Sequence, residues 1–281
     1  MTFDWGKRTY IMGILNVTPD SFSGDGLLGA DVIDKAVAQA VQFAADGADI
    51  LDIGGQSTRP GSQPISAHDE IKRIIPVIQA VRQAVSLPIS VDTYWADVAA
   101  AALDAGADWI NDVWGLRMDT GMAHVAAAAG CPVVLMHNRS KPKDVVQETR
   151  LGGRFVGVTY NNLIEDIKAE LLQSVELAVT AGVNESNIIL DPGVGFGKTV
   201  SQNVRVVHEL DAFKSLGFPI LLGTSRKSFI GYTLDLPPDE RIEGTAATVA
   251  IGIDRGADIV RVHDVKPIVR VARMTDAIVR V

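Results

Sequence analysis

Three stretches of this 281-residue chain spell nearly the same junction: DGADILDIGG (46–55), AGADWINDV (105–113) and RGADIVRVHD (255–264). In each, an amphipathic segment reaches a glycine, and a short β-branched run starts two or three residues later. Glycine there suits the left-handed conformation that closes an α-helix, so the junction reads as helix, stop, strand. Looser copies occur at AAGCPVVLMH (128–137) and AGVNESNIILD (181–191). A chain in which helices repeatedly feed short apolar strands is restricted to parallel-sheet architectures.

Eight strands are expected: 10–17, 50–55, 88–93, 109–113, 132–137, 187–193, 219–225 and 259–264. Helical periodicity fills the intervals at about 31–46, 66–85, 95–105, 119–129, 160–181, 200–215 and 243–255, with a last helix at 265–279. Eight such units favour a closed (β/α)8 TIM barrel of the α/β class over an open doubly wound sheet. Neither a Pro/Ser-rich linker nor a composition break divides the chain, so residues 1–281 read as a single domain. The opening FDWGKRTY is expected to form a hairpin capping the barrel's floor.

Charge narrows the function. The formal net charge is −8 and the pI about 5.1, which argues against a nucleic-acid or anionic-membrane surface. Any bound anion must then be held by a local cationic cluster. The single cysteine, Cys131, excludes an internal disulfide and a cysteine zinc site, and fits a reducing cytoplasm. The first ten residues carry charges where a secretory signal needs its apolar segment, and no apolar run approaches the roughly 18–20 residues of a membrane span.

The strand ends concentrate the polar residues: Asn16, Asp92, Asn111 with Asp112, His137, Asp191, Ser225-Arg226-Lys227, and Arg261 with His263. In a parallel barrel these ends emerge at one face, the face that carries active sites. Arg226 and Lys227 stand side by side in a stretch without acids from 212 to 234. Together with Arg261, His263 and Arg59 they read as an anion site of the kind barrels build after strands seven and eight; taken singly, each cation could equally pair with a surface acid. Asp92, Asn111 and Asp191 follow apolar strands, where burial is costly without a partner. They suit a heteroaromatic ring with alternating donors and acceptors, while helix capping by Asp92 or Thr93 stays open.

Two familiar patterns fail. GDGLLG (24–29) lies about seven residues beyond its strand, too far for a dinucleotide-binding turn. In DPGVGFGKT (191–199) the first glycine of a phosphate-binding loop would fall on Pro192. His68, His124 and His208 lack metal-ligand spacing and read as ordinary surface residues.

GILNVTPDSFSGDG (13–26), GGQSTRPG (54–61), SVDTY (90–94), INDV (110–113), LMH (135–137), DPGVGFGK (191–198), GTSRKS (223–228) and RVHDV (261–265) resemble, in order and spacing, the dihydropteroate synthases. The resemblance runs from residue 13 to residue 265. It implies a transferase of folate biosynthesis that joins p-aminobenzoate to 6-hydroxymethyl-7,8-dihydropterin pyrophosphate, by way of a pterin cation formed as pyrophosphate leaves. It implies pterin contacts from Asp92, Asn111, Met136, Asp191, Phe196 and Lys227, and pyrophosphate contacts from Asn16, Arg59, Arg261 and His263. Thr58, Pro60 and Ser228 would meet p-aminobenzoate, with Ser228 opening a helix. Asp92, Lys227, Arg261 and His263 would carry the chemistry. Mg²⁺ would be met by Asn16, and a homodimer would form through the last helices.

Three departures stand out. Gln56 replaces the family's usual Glu, a change expected to touch loop support more than chemistry; SGDG displaces Asp25 by one position; and the residues from Asn138 onward do not follow the pattern. The loops at 18–30 and 56–65 are expected to close over the substrates. Folate-binding methyltransferases would share Asp92, Asn111 and Asp191 but have no use for the cationic cluster, and a non-catalytic paralogue would have lost a charged strand end.

Overall fold

Alternate residues of a strand face opposite ways, and in this chain both directions are apolar over most of each strand. The computed structural model describes residues 3–17, 30–57, 62, 64–156 and 158–280. Its strands are β1 (Tyr10–Asn16), β2 (Ile50–Gly54), β3 (Ile89–Asp92), β4 (Trp109–Asp112), β5 (Val133–Met136), β6 (Ile188–Asp191), β7 (Leu221–Leu222) and β8 (Ile259–Val262). They pair in parallel in the order β6-β5-β4-β3-β2-β1-β8-β7. An isolated parallel bridge from Leu190 to Ile220, with the Leu190 N–H donating to Pro219 O at 2.9 Å, joins the two ends into a nearly closed barrel.

The helices are α1 (Ala30–Asp46), α2 (Ala67–Ala84), α3 (Ala96–Asp104), α4 (Met122–Ala129), α5 (Leu163–Thr180), α6 (Val200–His208), α7 (Ser228–Leu234), α8 (Ile242–Asp254) and α9 (Val265–Val279). Outward strand residues such as Leu51, Val91, Ile110, Leu135 and Leu190 pack with the helices in one apolar cluster. Gly47, Gly106 and Gly256 have φ of +99°, +110° and +97°; the three repeated junctions are the left-handed helix stops their sequence implies.

Inward residues form a second cluster that fills the barrel's lower half: Tyr10, Met12, Ile50, Trp109, Val134, Ile189, Leu221 and Ile259. Phe3 and Trp5 pack against it from below, the Phe3 ring 5.0 Å from Trp109 and 4.8 Å from Tyr10. The opening segment therefore covers the floor, but as a turn and not as the expected hairpin. The Asp4 N–H donates to the Tyr10 hydroxyl at 2.7 Å, and aromatic burial holds the segment without strand pairing.

One other expectation changes, and one element appears that the sequence did not announce. The stretch 200–215 divides into α6 and a 3-10 turn, Leu210–Leu216, which leaves Leu210 and Phe213 buried. A short antiparallel ribbon, Val145–Val146 with Arg154–Phe155, follows β5. Among the described residues no helix is long and apolar enough to cross a membrane.

Candidate active site

Two residues above the floor the inward positions turn polar. Ile50 is followed by Asp52, Trp109 by Asn111, Ile189 by Asp191 and Ile259 by Arg261, while Val134 gives way to Met136. Period-two alternation in strands that share one direction places this layer at the C-terminal mouth.

Arg261 organises it. Its Nε donates to Asp52 Oδ2 at 2.5 Å and its Nη2 to Asp92 Oδ2 at 2.6 Å, and the Asn111 amide donates to the same Asp52 oxygen at 3.1 Å. Asp52 is fully buried and its second oxygen has no hydrogen-bond partner. Burial pushes Asp92 up to about 7, against the opposing charge of Arg261. Burial works against the charge of Arg261 too, but the two carboxylates raise its pKa above the usual arginine value. Gly54 sits next to Asp92 across the β2–β3 ladder, and a β-carbon there would crowd that of Asp92 at 3.2 Å. Capping does not explain Asp92, because the Ala96 N–H that opens α3 donates to Asp119, and the Trp95 N–H just before it donates to Thr93.

Asp191 faces the same mouth. Burial raises its pKa, and the charges of Lys227, Lys198 and Arg261 oppose the rise. One carboxylate oxygen accepts the Gly193 N–H at 2.7 Å. Lys227 is half-buried, and desolvation lowers it to about 8 although Asp191 and Asp92 favour its charge. Its ammonium donates to Val194 O and lies 4.7 Å from the centre of the Phe196 ring. Phe196 in turn packs with Met136, Tyr94 and Val113. The layer thus pairs an apolar wall with fixed donors and acceptors.

The two adjacent cations separate. Arg226 has φ +56° and sends its guanidinium to Asp264, with Nε 2.8 Å from Oδ2, so it joins an outer ion pair and leaves the cationic cluster. His263 keeps its place at the rim, its Nδ1 3.0 Å from Ser225 Oγ. Asn16 closes β1 beside Gly54, and Ser228 is the first residue of α7. Thr58, Arg59, Pro60 and Asp25 lie outside the described residues.

Other strand-end polar groups are scaffolding. The Asp112 carboxylate accepts the N–H groups of Trp114 and Leu116. His137 turns toward α5, its Nε2 3.1 Å from Glu170 and its Nδ1 2.9 Å from the Lys198 ammonium. Burial and the charge of Lys198 lower His137 to about 3, so it accepts from Lys198 as a neutral ring. Lys198, 1% exposed, also donates to Gly193 O and Phe196 O and ties down the loop that follows Asp191. Gln56 donates to the Tyr94 hydroxyl at 2.7 Å, at the root of the second loop. His68, His124 and His208 are exposed.

Asp52 escaped attention in the sequence because it lies mid-strand. The signal was present: it shares the inward face with Ile50 and Gly54. Lys198 looked like part of a failed phosphate-loop motif, and nothing local marks it as buried. At the barrel's other end a cavity of about 500 Å³ is lined by Arg8, Asp49, Arg273 and Asp276 among others, but Arg8 is already spent on Asp49, at 3.0 and 2.6 Å.

A family model described as pterin binding enzyme matches residues 12–263. The dihydropteroate synthase of Bacillus subtilis is 52% identical over 271 residues, covering 96% of this chain and 89% of that protein. A solved dihydropteroate synthase from Clostridium difficile, in the presence of pteroic acid, superposes with a TM-score of 0.91 at 49% identity over all of both chains. Another, from Xanthomonas albilineans in complex with 7,8-dihydropteroate, gives a TM-score of 0.85 at 35% identity, covering all of this chain and 96% of the other. With a polar mouth of this composition on this barrel, and matches that run the length of the chain, this protein belongs to the dihydropteroate synthases, transferases of folate synthesis within the pterin-binding enzymes.

Proposed function

We propose that residues 1–281, working as one domain, condense 6-hydroxymethyl-7,8-dihydropterin pyrophosphate with p-aminobenzoate to give 7,8-dihydropteroate and pyrophosphate. The observation that carries this reading is the Asp52–Arg261–Asp92 chain of contacts beside Asp191 and Lys227, one layer in which buried carboxylates meet half-buried cations.

In this reading Asp191 accepts from the amino-pyrimidine edge of the pterin, Asn111 adds an amide contact, and Met136 and Phe196 hold the ring faces. Lys227 donates to the ring from beside Asp191. As the C–O bond breaks, negative charge grows on the departing pyrophosphate and positive charge on the pterin methylene. Arg261, His263 and Asn16, with Arg59, meet the first; the Asp92 carboxylate stabilises the second from a site that is already desolvated. The arylamine nitrogen of p-aminobenzoate then bonds to the methylene carbon and loses a proton. Thr58, Pro60 and Ser228 would position it.

Asn16 offers one hard oxygen donor at the rim, and the described residues hold no cluster of three or more metal-ligating side chains. That donor set fits Mg²⁺, which needs few protein ligands because it keeps most of its waters. Bound there, the ion would neutralise charge on the leaving group. A homodimer through the last helices accords with exposed Ile251 on α8 and with Met274 and Ile278, one turn apart on α9. A cytoplasmic location fits the lone buried Cys131.

The test is to incubate the purified protein with pterin pyrophosphate, p-aminobenzoate and Mg²⁺ and to look for dihydropteroate by mass. No product under conditions where the Bacillus subtilis protein turns over would refute the assignment. Calorimetry of Arg261→Ala checks the pyrophosphate contact: affinity equal to that of the parent removes Arg261 from it.

A further inference from the structure

Arg226 is one of three non-glycine residues with positive φ among those described, at +56°, a conformation that the β-carbon of ordinary residues disfavours. Its side chain does not explain the choice, since the pair with Asp264 is partly exposed. Its backbone does. The Arg226 N–H donates to Thr245 Oγ1 at 3.1 Å, and its carbonyl accepts from Arg241 Nη1 at 3.0 Å. Both partners lie at the start of α8, so the peptides on either side of the Arg226 α-carbon are gripped by a single helix.

Arg241 is itself unusual. It is 2% exposed, and all its hydrogen-bond partners are backbone carbonyls: Arg226 O, Leu236 O at 3.0 Å through Nε, and Leu151 O at 2.9 Å through Nη2. Burial lowers its pKa from the usual arginine value. Three segments meet on this one guanidinium: the turn before Lys227, the end of α7, and the loop of the 145–155 ribbon. The Tyr232 hydroxyl reinforces the last junction by donating to Gly152 O at 3.0 Å. Gly231 makes room for the group, since a β-carbon there would stand 2.2 Å from Arg241 Nη2.

We propose that Arg241 is a positioning residue. By holding Arg226 in the left-handed conformation it sends Arg226 outward to Asp264 and Lys227 inward, toward Phe196 and Asp191. Two adjacent cations thereby serve two different faces, and Lys227 and Ser228 are presented by a turn that α8, not the local sequence, dictates. The inference rests on the reading of Lys227 as a pterin contact.

The measurement is the affinity for 6-hydroxymethylpterin by fluorescence titration, with far-UV circular dichroism reporting the fold. Arg241→Gln is expected to weaken binding about tenfold or more while remaining folded. Adding Arg226→Gly, which takes the left-handed conformation without a grip, should return the affinity to within about threefold of the parent. A purely structural role for Arg241 predicts no such rescue. If Arg241→Gln keeps its affinity within about twofold, or if Arg226→Gly repairs none of the loss, the proposal is wrong. Should Arg241→Gln not fold, Thr245→Val, which removes the other half of the grip at similar volume, is read by the same two outcomes. Lys227→Met is titrated in parallel. An unchanged affinity there removes the site reading and this inference together; a weakened one, beside an unaffected Arg241→Gln, removes this inference alone.

Discussion

Arg261 is among the most constrained side chains in the molecule, because two buried carboxylates share it. Taking such ions out of water is costly and is tolerated only where each is paired, which marks the layer as functional more than stabilising. Asp191→Asn keeps the shape and removes the charge that faces Lys227. It should weaken pterin binding by about 2 kcal/mol, roughly 30-fold, in a variant that stays folded by circular dichroism; equal affinity by fluorescence titration would take Asp191 out of the pterin site. Lys227 makes the pH dependence specific. Its pKa falls from 10.5 to about 8 in the folded state, so the ammonium is lost as pH rises through that value. Above about pH 8, kcat/KM should decline with a slope approaching tenfold per pH unit, and Lys227→Arg should abolish that alkaline limb. A limb that persists in the arginine variant belongs to another group. The effect on stability has the opposite sign: below about 8 the fold carries the cost of a partly desolvated ammonium, and this cost is relieved between about 8 and 10.5 as the folded state gives up the proton first.

At the level of elements, the loop between β6 and α6 shows how backbone serves chemistry. Gly193 has φ +70°, and a β-carbon there would lie 1.8 Å from His137 O, a backbone atom that cannot swing aside. Gly193→Ala should therefore cost about 3 kcal/mol or more in urea denaturation, combining left-handed strain with the clash; a loss under about 1 kcal/mol would mean the loop relaxes freely. The element pattern itself was largely legible. Junction glycines and apolar periodicity placed eight strands and their helices within a few residues, because both signals are local. The break after His208 was not legible: the periodicity continues, and only the burial of Leu210 and Phe213 decides it. The ribbon at 145–155 was equally silent, since two-residue strands carry no alternation, and its anchors, Arg241 and Tyr232, lie far along the chain.

The whole barrel combines a floor plugged by aromatic residues with a mouth that carries the charge. That division follows from one register: every strand runs the same way, so the same strand position becomes floor in all of them or mouth in all of them. Outside, Met274 and Ile278 are 63% and 62% exposed on α9, a solvation cost that a second copy of the chain would remove. The protein should sediment at twice its 30.0 kDa chain mass, and Ile278→Glu should shift it to the single-chain mass; a parent that is already monomeric ends the dimer proposal.

What the sequence by itself determined is the order of helices and strands, the common direction of the strands, and which strand ends carry charge, since periodicity, glycine placement and residue type are properties of neighbours along the chain. Only the tertiary structure decided that Asp52 joins Arg261, that Lys198 is buried under its loop, and that Arg226 and Lys227 point apart. Those outcomes depend on groups brought together across the barrel from distant parts of the sequence, where burial and pairing, not local propensity, set the energy of each charge.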